Sequence, residues 1–188
     1  MNKIGADDET VNTSINAALL RWFQGKILEQ RTSLDTWLDV GCGGSWMRDR
    51  FESLAERWGV NFVTHENDLD VELYEREDSS VDLITSFEVL EHLYNPLFHM
   101  KELSRILKAN GRLFLTTPND YSLLCKLLHL ISWKYRPHFH QFSKRDLEDL
   151  IERAGLKIVS VTKTCGAGTR IPILRWLSRT NLCAIITR

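Results

Sequence analysis

The residue types that could do chemistry cluster in three short stretches. In LDVGCGGS, residues 38–45, Gly41 and Gly43 let the backbone turn sharply and approach a ligand closely, which a Cβ would hinder. Asp39 stands just before them. A loop for a dinucleotide would carry a further glycine at position 46, where this chain has Trp46, and would bring a pyrophosphate close to Asp39. A carboxylate there suits a cationic amine better than a phosphate. The plain alternative is a strand-to-helix turn that binds nothing. In HENDLD, residues 65–70, Glu66 lies 25 positions after Gly41, about the spacing of a ribose-binding acid. Its two oxygens can accept from both ribose hydroxyls. A solvated acidic loop accounts equally well for Asp68 and Asp70. The third stretch is SFEVLEHLYNP, residues 86–96, directly after the apolar run VDLIT. There His92, with an ordinary pKa of about 6.5, suits a general base for a hydroxyl acceptor; helix capping or packing on a cofactor is the alternative.

The remaining histidines carry less. His138 and His140 follow Pro137 in a loop, where either faces an acceptor or is simply hydrogen-bonded in place. His65, His99 and His129 read as structural, and no histidine pair has the spacing of a metal site.

Elements that could position these stretches are legible as alternating periods. Short apolar strands are expected over residues 36–40, 60–66, 81–86, 112–117, 156–163 and 182–187. Helical spacing links Ile15, Ala18, Leu19, Trp22, Phe23 and Ile27, and again Met47, Phe51, Leu54, Ala55 and Trp58, with Ser45 as the cap and Gly59 as the stop. Further helices are expected over 97–107, over 121–133, and from Ser143, whose partner Asp146 completes a capping pattern, to Gly155. Asn110-Gly111 reads as a turn. The order predicts an α/β fold: a doubly wound, mostly parallel sheet with helices on both faces. The last two strands are expected to be antiparallel, since a parallel crossover needs about a dozen residues or more. In such a sheet ligands bind outside the carboxyl ends of the strands, where all three stretches fall.

Composition narrows the class further. The 188 residues suit a single domain spanning 1–188; apolar residues are 43% and charged residues 26%. A net charge of −1 gives no reason to expect a nucleic-acid partner. Cys42, Cys125, Cys165 and Cys183 are far apart, which fits a reducing, cytoplasmic setting better than a disulfide framework. The acidic start MNKIGADDET is unlike a secretory signal, and no apolar run reaches the roughly 20 residues of a membrane span. Peripheral membrane contact stays open, as do monomer and homodimer.

LDVGCGGS, SFEVLEHLYNP, RILKANGRLFLTTPN (105–119) and HFHQFSKRDLEDLIERAGL (138–156) occur in the order found in class I methyltransferases dependent on S-adenosylmethionine (SAM). Over residues 34–163 the chain resembles the type 11 and type 12 methyltransferase domains, including those of ubiquinone biosynthesis. The resemblance implies the Rossmann-like SAM methyltransferase fold, with SAM as cofactor. It implies Asp39, Gly41, Cys42 and Gly43 at the methionine end and Glu66 on the ribose. It also implies Phe87 and Glu88 against the cofactor, and His92 near the transferred methyl group. The family's third glycine is Ser45 here. The stretch 66–81 is too short for the usual helix and third strand, so the sheet is expected to be trimmed, with Asp70 as the stand-in for the adenine-binding acid. Residues 1–33 are expected to form a helical extension, and 120–142 to correspond to an acceptor-side insertion whose apolar helix is either a lid or a core or dimer element. Methyl transfer from SAM to an oxygen, nitrogen or carbon nucleophile of a small, lipid-linked or sugar-linked acceptor follows, and needs no metal. Two other classes compete: a silent binding protein on the same fold, supported by Ser45 and the short 66–81 stretch, and a nucleotide-cofactor oxidoreductase, opposed by Trp46.

Overall fold

Trp37 and Leu38 are neighbours in sequence and belong to different cores, which is how the sheet is built. The structure is a computed structural model and describes residues 18–27, 34–41, 46–65, 68–119, 138–164 and 181–188. The elements are helix α1 (18–27), β1 (Thr36–Val40), α2 (Trp46–Trp58), β2 (Asn61–His65), β3 (Val81–Phe87), a 3-10 turn (Leu90–His92), α3 (Pro96–Ile106), β4 (Leu107–Pro118), α4 (Lys144–Arg153), β5 (Lys157–Thr164) and β6 (Asn181–Thr187). Side chains alternate across a strand. Trp37, Leu83, Phe114, Cys183 and Ile185 therefore face α1 and α2, where they meet Phe23 and Phe51. Leu38, Ile84, Leu113, Leu115 and Ala184 face α3 and α4, where they meet Met100, Leu103, Leu147 and Ile151. The result is three layers, helix–sheet–helix.

The six strands lie in the order β2-β1-β3-β4-β6-β5. β2, β1, β3 and β4 are parallel; β6 is antiparallel to both β4 and β5, as the short last connection predicts. Local chemistry sets the helix ends. Gly59, at φ +67°, closes α2, with the Val60 N–H donating to the Ala55 carbonyl. The Asn95 side chain accepts from the Phe98 N–H ahead of Pro96 in α3. Ser143 and Asp146 form the expected capping box of α4. One expectation needs correction: β4 starts at Leu107, so Asn110-Gly111 is not a turn between elements. It is an irregularity inside the strand, where pairing passes from Val81↔Leu107 to Leu83↔Arg112. A Cβ on Gly111 would lie 2.7 Å from Leu107 Cδ1 and 3.0 Å from the Asp82 carbonyl oxygen, so glycine is needed for packing there. The Ser45 cap and the 121–133 helix lie outside the described residues.

Described residues 68–80 contain no strand, so β2 has no neighbour on its outer side among the described residues. Polar side chains of α3 hold this stretch instead. Arg105 donates to the carbonyls of Tyr74 (3.0 Å) and Arg76 (2.8 Å), to Asp78 Oδ1 (2.8 Å) and to Glu102 Oε2 (2.8 Å). Glu102 Oε2 also accepts the Tyr74 N–H at 3.3 Å. Tyr74 is buried, and its hydroxyl meets His99 Nδ1 at 2.9 Å, while His99 Nε2 meets Ser86 Oγ at 3.3 Å. Burial pushes the His99 pKa down to about 3, so the ring is neutral and has one donor and one acceptor for these two partners.

Arg105→Gln is expected to lower the unfolding free energy by about 1.5–3 kcal/mol, the usual loss for hydrogen bonds to charged groups. Urea titration measures it, and amide exchange should quicken across 68–80. His99 gives a pH prediction with a definite sign. Its folded pKa lies below the unfolded value of 6.5, so between these values the unfolded chain binds the extra proton. Stability should therefore fall as pH drops from about 6.5 towards 3. Between pH 7 and 5.5, His99→Gln should show a flatter stability profile than the parent chain; an equal slope would remove the assignment.

Candidate cofactor and acceptor site

β1 pairs with β2 on one side and β3 on the other, so the connections diverge at the carboxyl ends of β1 and β3. This is the switch point at which open parallel sheets bind ligands. Asp39 lies here, 1% exposed, in register with Thr85. The Thr85 hydroxyl donates to Asp39 Oδ1 (2.5 Å) and accepts from the Trp37 indole N–H (3.0 Å). Gly41 follows, exposed and at φ +80°. A Cβ there would lie 2.5 Å from Val89 Cγ2, so Gly41 rests on the segment after β3 only because it has no side chain. The first and third sequence stretches thus meet in space.

The segment after β3 begins at Glu88, which adopts φ +57°, a conformation that L residues seldom take. Three hydrogen bonds hold it. Its N–H donates to the Thr116 carbonyl at 3.0 Å, Thr116 Oγ1 donates to its Oε1 at 2.8 Å, and Asn181 Nδ2 donates to its Oε2 at 3.0 Å. Strain of about 1–3 kcal/mol at such a residue is common where a side chain must be aimed. Phe87 turns the other way: its ring is 7% exposed and packs on Trp22, Phe23 and Phe51, so only its backbone is at the strand end. Asp70 is half-buried and its Oδ1 accepts the Asn95 N–H at 2.6 Å, which ties the acidic loop to the start of α3. Glu66, Cys42 and Gly43 lie outside the described residues.

On the far face of β4 the structure brings together groups that sequence spacing does not connect. Glu91, 1% exposed, accepts from Thr117 Oγ1 through Oε2 (3.0 Å) and lies 3.8 Å from His92 Nε2 through Oε1. The Glu91 carbonyl accepts the N–H groups of Phe139 (2.8 Å) and His140 (3.2 Å). That pairing carries the His138 ring to the His92 ring, 5.1 Å between centroids. The His140 ring lies by Phe142 instead, 6.0 Å away. Of the two loop histidines, it is His138 that adjoins His92. Residues 92 and 138 are 46 positions apart, which is why no spacing rule pairs them.

A cleft of about 440 Å³ opens beside β2, lined by Leu38, Val63, Thr64, His65, Tyr74 and Arg76, among others. His65 Nε2 is buried there with no hydrogen-bond partner among the described residues. Its ring packs edge-on to Tyr74, and burial lowers its pKa.

Comparison with known proteins bears on the family and the fold. The methyltransferase domain family matches residues 11–161. A ubiquinone biosynthesis O-methyltransferase of Coxiella burnetii is 26% identical over 176 residues, covering 73% of this chain and 70% of that protein. A probable S-adenosylmethionine-dependent methyltransferase of Mycobacterium tuberculosis is 40% identical over 42 residues, 22% of this chain; the match spans only 15% of that protein's length. Among solved structures, the putative methyltransferase in complex with the Haloferax volcanii Trm112 activator shares the fold, with TM-score 0.68, 15% identity and coverage of 97% and 92%. A SAM-dependent methyltransferase from Archaeoglobus fulgidus does too, with TM-score 0.66, 15% identity and 93% coverage of each chain. No helix among the described residues is long and apolar enough to cross a membrane. The chain therefore belongs to the methyltransferase domain family and has the Rossmann-like fold of SAM-dependent methyltransferases.

Proposed function

We propose that the chain transfers the sulfonium methyl group of SAM to a nucleophile on a small, lipid-linked or sugar-linked acceptor. One observation carries the reading: at the switch point, a buried carboxylate precedes a glycine at φ +80° that packs on Val89 only because it lacks a side chain. In a chain of this family, those residues fit the methionine end of the cofactor. Asp39, Gly41, Cys42 and Gly43 would hold that end, and Glu66 the ribose. Glu88, fixed by Thr116 and Asn181, would flank the cofactor together with the Phe87 backbone. Asp70 stands by the adenine side. The cleft at His65 offers a second adenine contact, because a neutral imidazole brings one donor and one acceptor.

When bound, SAM supplies a methyl group on a good leaving group. The chain's task is alignment, which can contribute roughly 7–11 kcal/mol in favourable cases. An oxygen acceptor also needs its proton removed; His92 and His140 are the groups this reading assigns to that end. The O-methyltransferase from Coxiella favours an oxygen acceptor. The insertion at 120–142 would cover the acceptor, within one domain in the cytoplasm.

Calorimetry on the full chain tests the proposal. SAM should bind with 1:1 stoichiometry, and Asp39→Ala should abolish binding while the far-UV circular dichroism is retained. Gly41→Ala, which strains only the turn, should weaken binding independently. Uptake of NAD in place of SAM would turn the reading to an oxidoreductase. Uptake of neither would leave a binding protein on a methyltransferase fold, and unaltered SAM affinity in Asp39→Ala would remove the placement of the methionine end.

A further inference from the structure

We infer that Thr85 is a positioning residue for the cofactor's ammonium group: its hydroxyl, oriented by the Trp37 indole, holds the Asp39 carboxylate as a hydrogen-bond acceptor at the end of β1. The ligand in this statement rests on the methyl-transfer reading. The relay of three side chains rests on geometry within the sheet.

Trp37 and Asp39 are two positions apart in β1 and pair in register with Leu83 and Thr85 of β3, so all four side chains share one face of the sheet. Thr85 is 0% exposed and Asp39 1%, so their polar atoms must find partners within the protein. Thr85 Oγ1 lies 3.0 Å from Trp37 Nε1 and 2.5 Å from Asp39 Oδ1. An indole N–H only donates. The hydroxyl therefore accepts from Trp37 and turns its single proton towards Asp39. In the reverse sense, a protonated Asp39 donating to Thr85, neither neighbour could accept the hydroxyl proton, a costly arrangement for a buried donor. The indole thus fixes the sense of the whole chain of hydrogen bonds. The carboxylate at its end is kept as an acceptor, the form that an ammonium group needs opposite it.

The relay is stiff where it begins. Trp37 is wholly buried among the rings of Phe23, Phe51, Trp58 and Phe62, at 5.0–5.7 Å between centroids. Thr85 is branched at Cβ, which restricts its side-chain rotamers. A buried strand position beside Ile84 suits valine equally well in shape, so the hydroxyl is what distinguishes the residue found there.

The test uses the full chain. In calorimetry Thr85→Val should weaken binding of SAM and of S-adenosylhomocysteine by roughly 10–150-fold, the scale of one hydrogen bond to a charged group. Methylthioadenosine keeps the nucleoside and lacks the amino-acid end, so its affinity should be unchanged. Thr85→Ser, which restores the hydroxyl, should recover most of the loss, and retained circular dichroism in both variants will show that the fold survives. Equal losses for SAM and methylthioadenosine would mark a merely structural threonine and overturn the inference, as would undiminished SAM affinity in Thr85→Val. The nuclear magnetic resonance signal of the Trp37 indole N–H reads the relay with no cofactor present. Asp39→Asn should shift that signal in the parent background and leave it in place in the Thr85→Val background; no shift in the parent background also overturns the relay. The two readouts separate the proposals. An indole shift without SAM binding leaves the relay standing and the methyl-transfer reading fallen, and SAM binding without the shift does the opposite.

Discussion

The hydroxyl of Thr85 sits between an indole N–H and a carboxylate, and the site depends on that arrangement. A buried carboxylate without compensating hydrogen bonds costs several kcal/mol. Thr85 supplies one such bond to Asp39 and is itself oriented by Trp37, which is wholly buried among Phe23, Phe51 and Trp58. Aromatic packing under β1 thus fixes the direction of a polar group at its end. Gly41 then packs on Val89, and the ends of β1 and β3 stay close together.

A trimmed sheet needs another way to finish its edge. The family resemblance implies a helix and a strand between residues 66 and 81, and the chain is too short for both. Arg105 and Glu102 of α3 bind the backbone of 74–76 directly, and Tyr74 inserts its ring between His65 and His99. Hydrogen bonds to charged side chains replace the ladder that a strand would have formed. The replacement leaves a cleft, and a buried imidazole nitrogen facing it, where a complete sheet would have been filled.

Much of this was legible in the chain and the rest had physical reasons to stay hidden. The expected span of β1 was matched, as were the capping box at Ser143 and the antiparallel last pair, because each is written in contiguous residues. Asn110-Gly111 misled because its turn chemistry is used inside a strand, where packing against Leu107 and Asp82 overrides it. Strand alternation sends the Phe87 ring into the aromatic core, which the family position alone does not indicate. His99 differs from the other described histidines through its full burial, which no spacing reveals. The meeting of His92 and His138 depends on backbone hydrogen bonds to the Glu91 carbonyl across a long separation in sequence, and no local pattern encodes those.

The end of β4 explains how one short segment can serve two halves of a site. Thr116 and Thr117 are consecutive, so their side chains lie on opposite faces of the sheet. Thr116 binds Glu88 on the face of Asp39 and Thr85; Thr117 binds Glu91 on the face of α3 and α4. The left-handed backbone at Glu88 and the 3-10 turn that follows deliver the two acids to those faces within four residues. Continued strand alternation would have sent residue 88 to the face of Ile84 and residue 91 to the face of Leu83, the reverse of the faces on which Thr116 and Thr117 hold them. The strained conformation at Glu88 is therefore the geometric condition for gripping both acids from one strand end. It ties the Glu88 and Glu91 side chains, on opposite faces of the sheet, to the same end of β4.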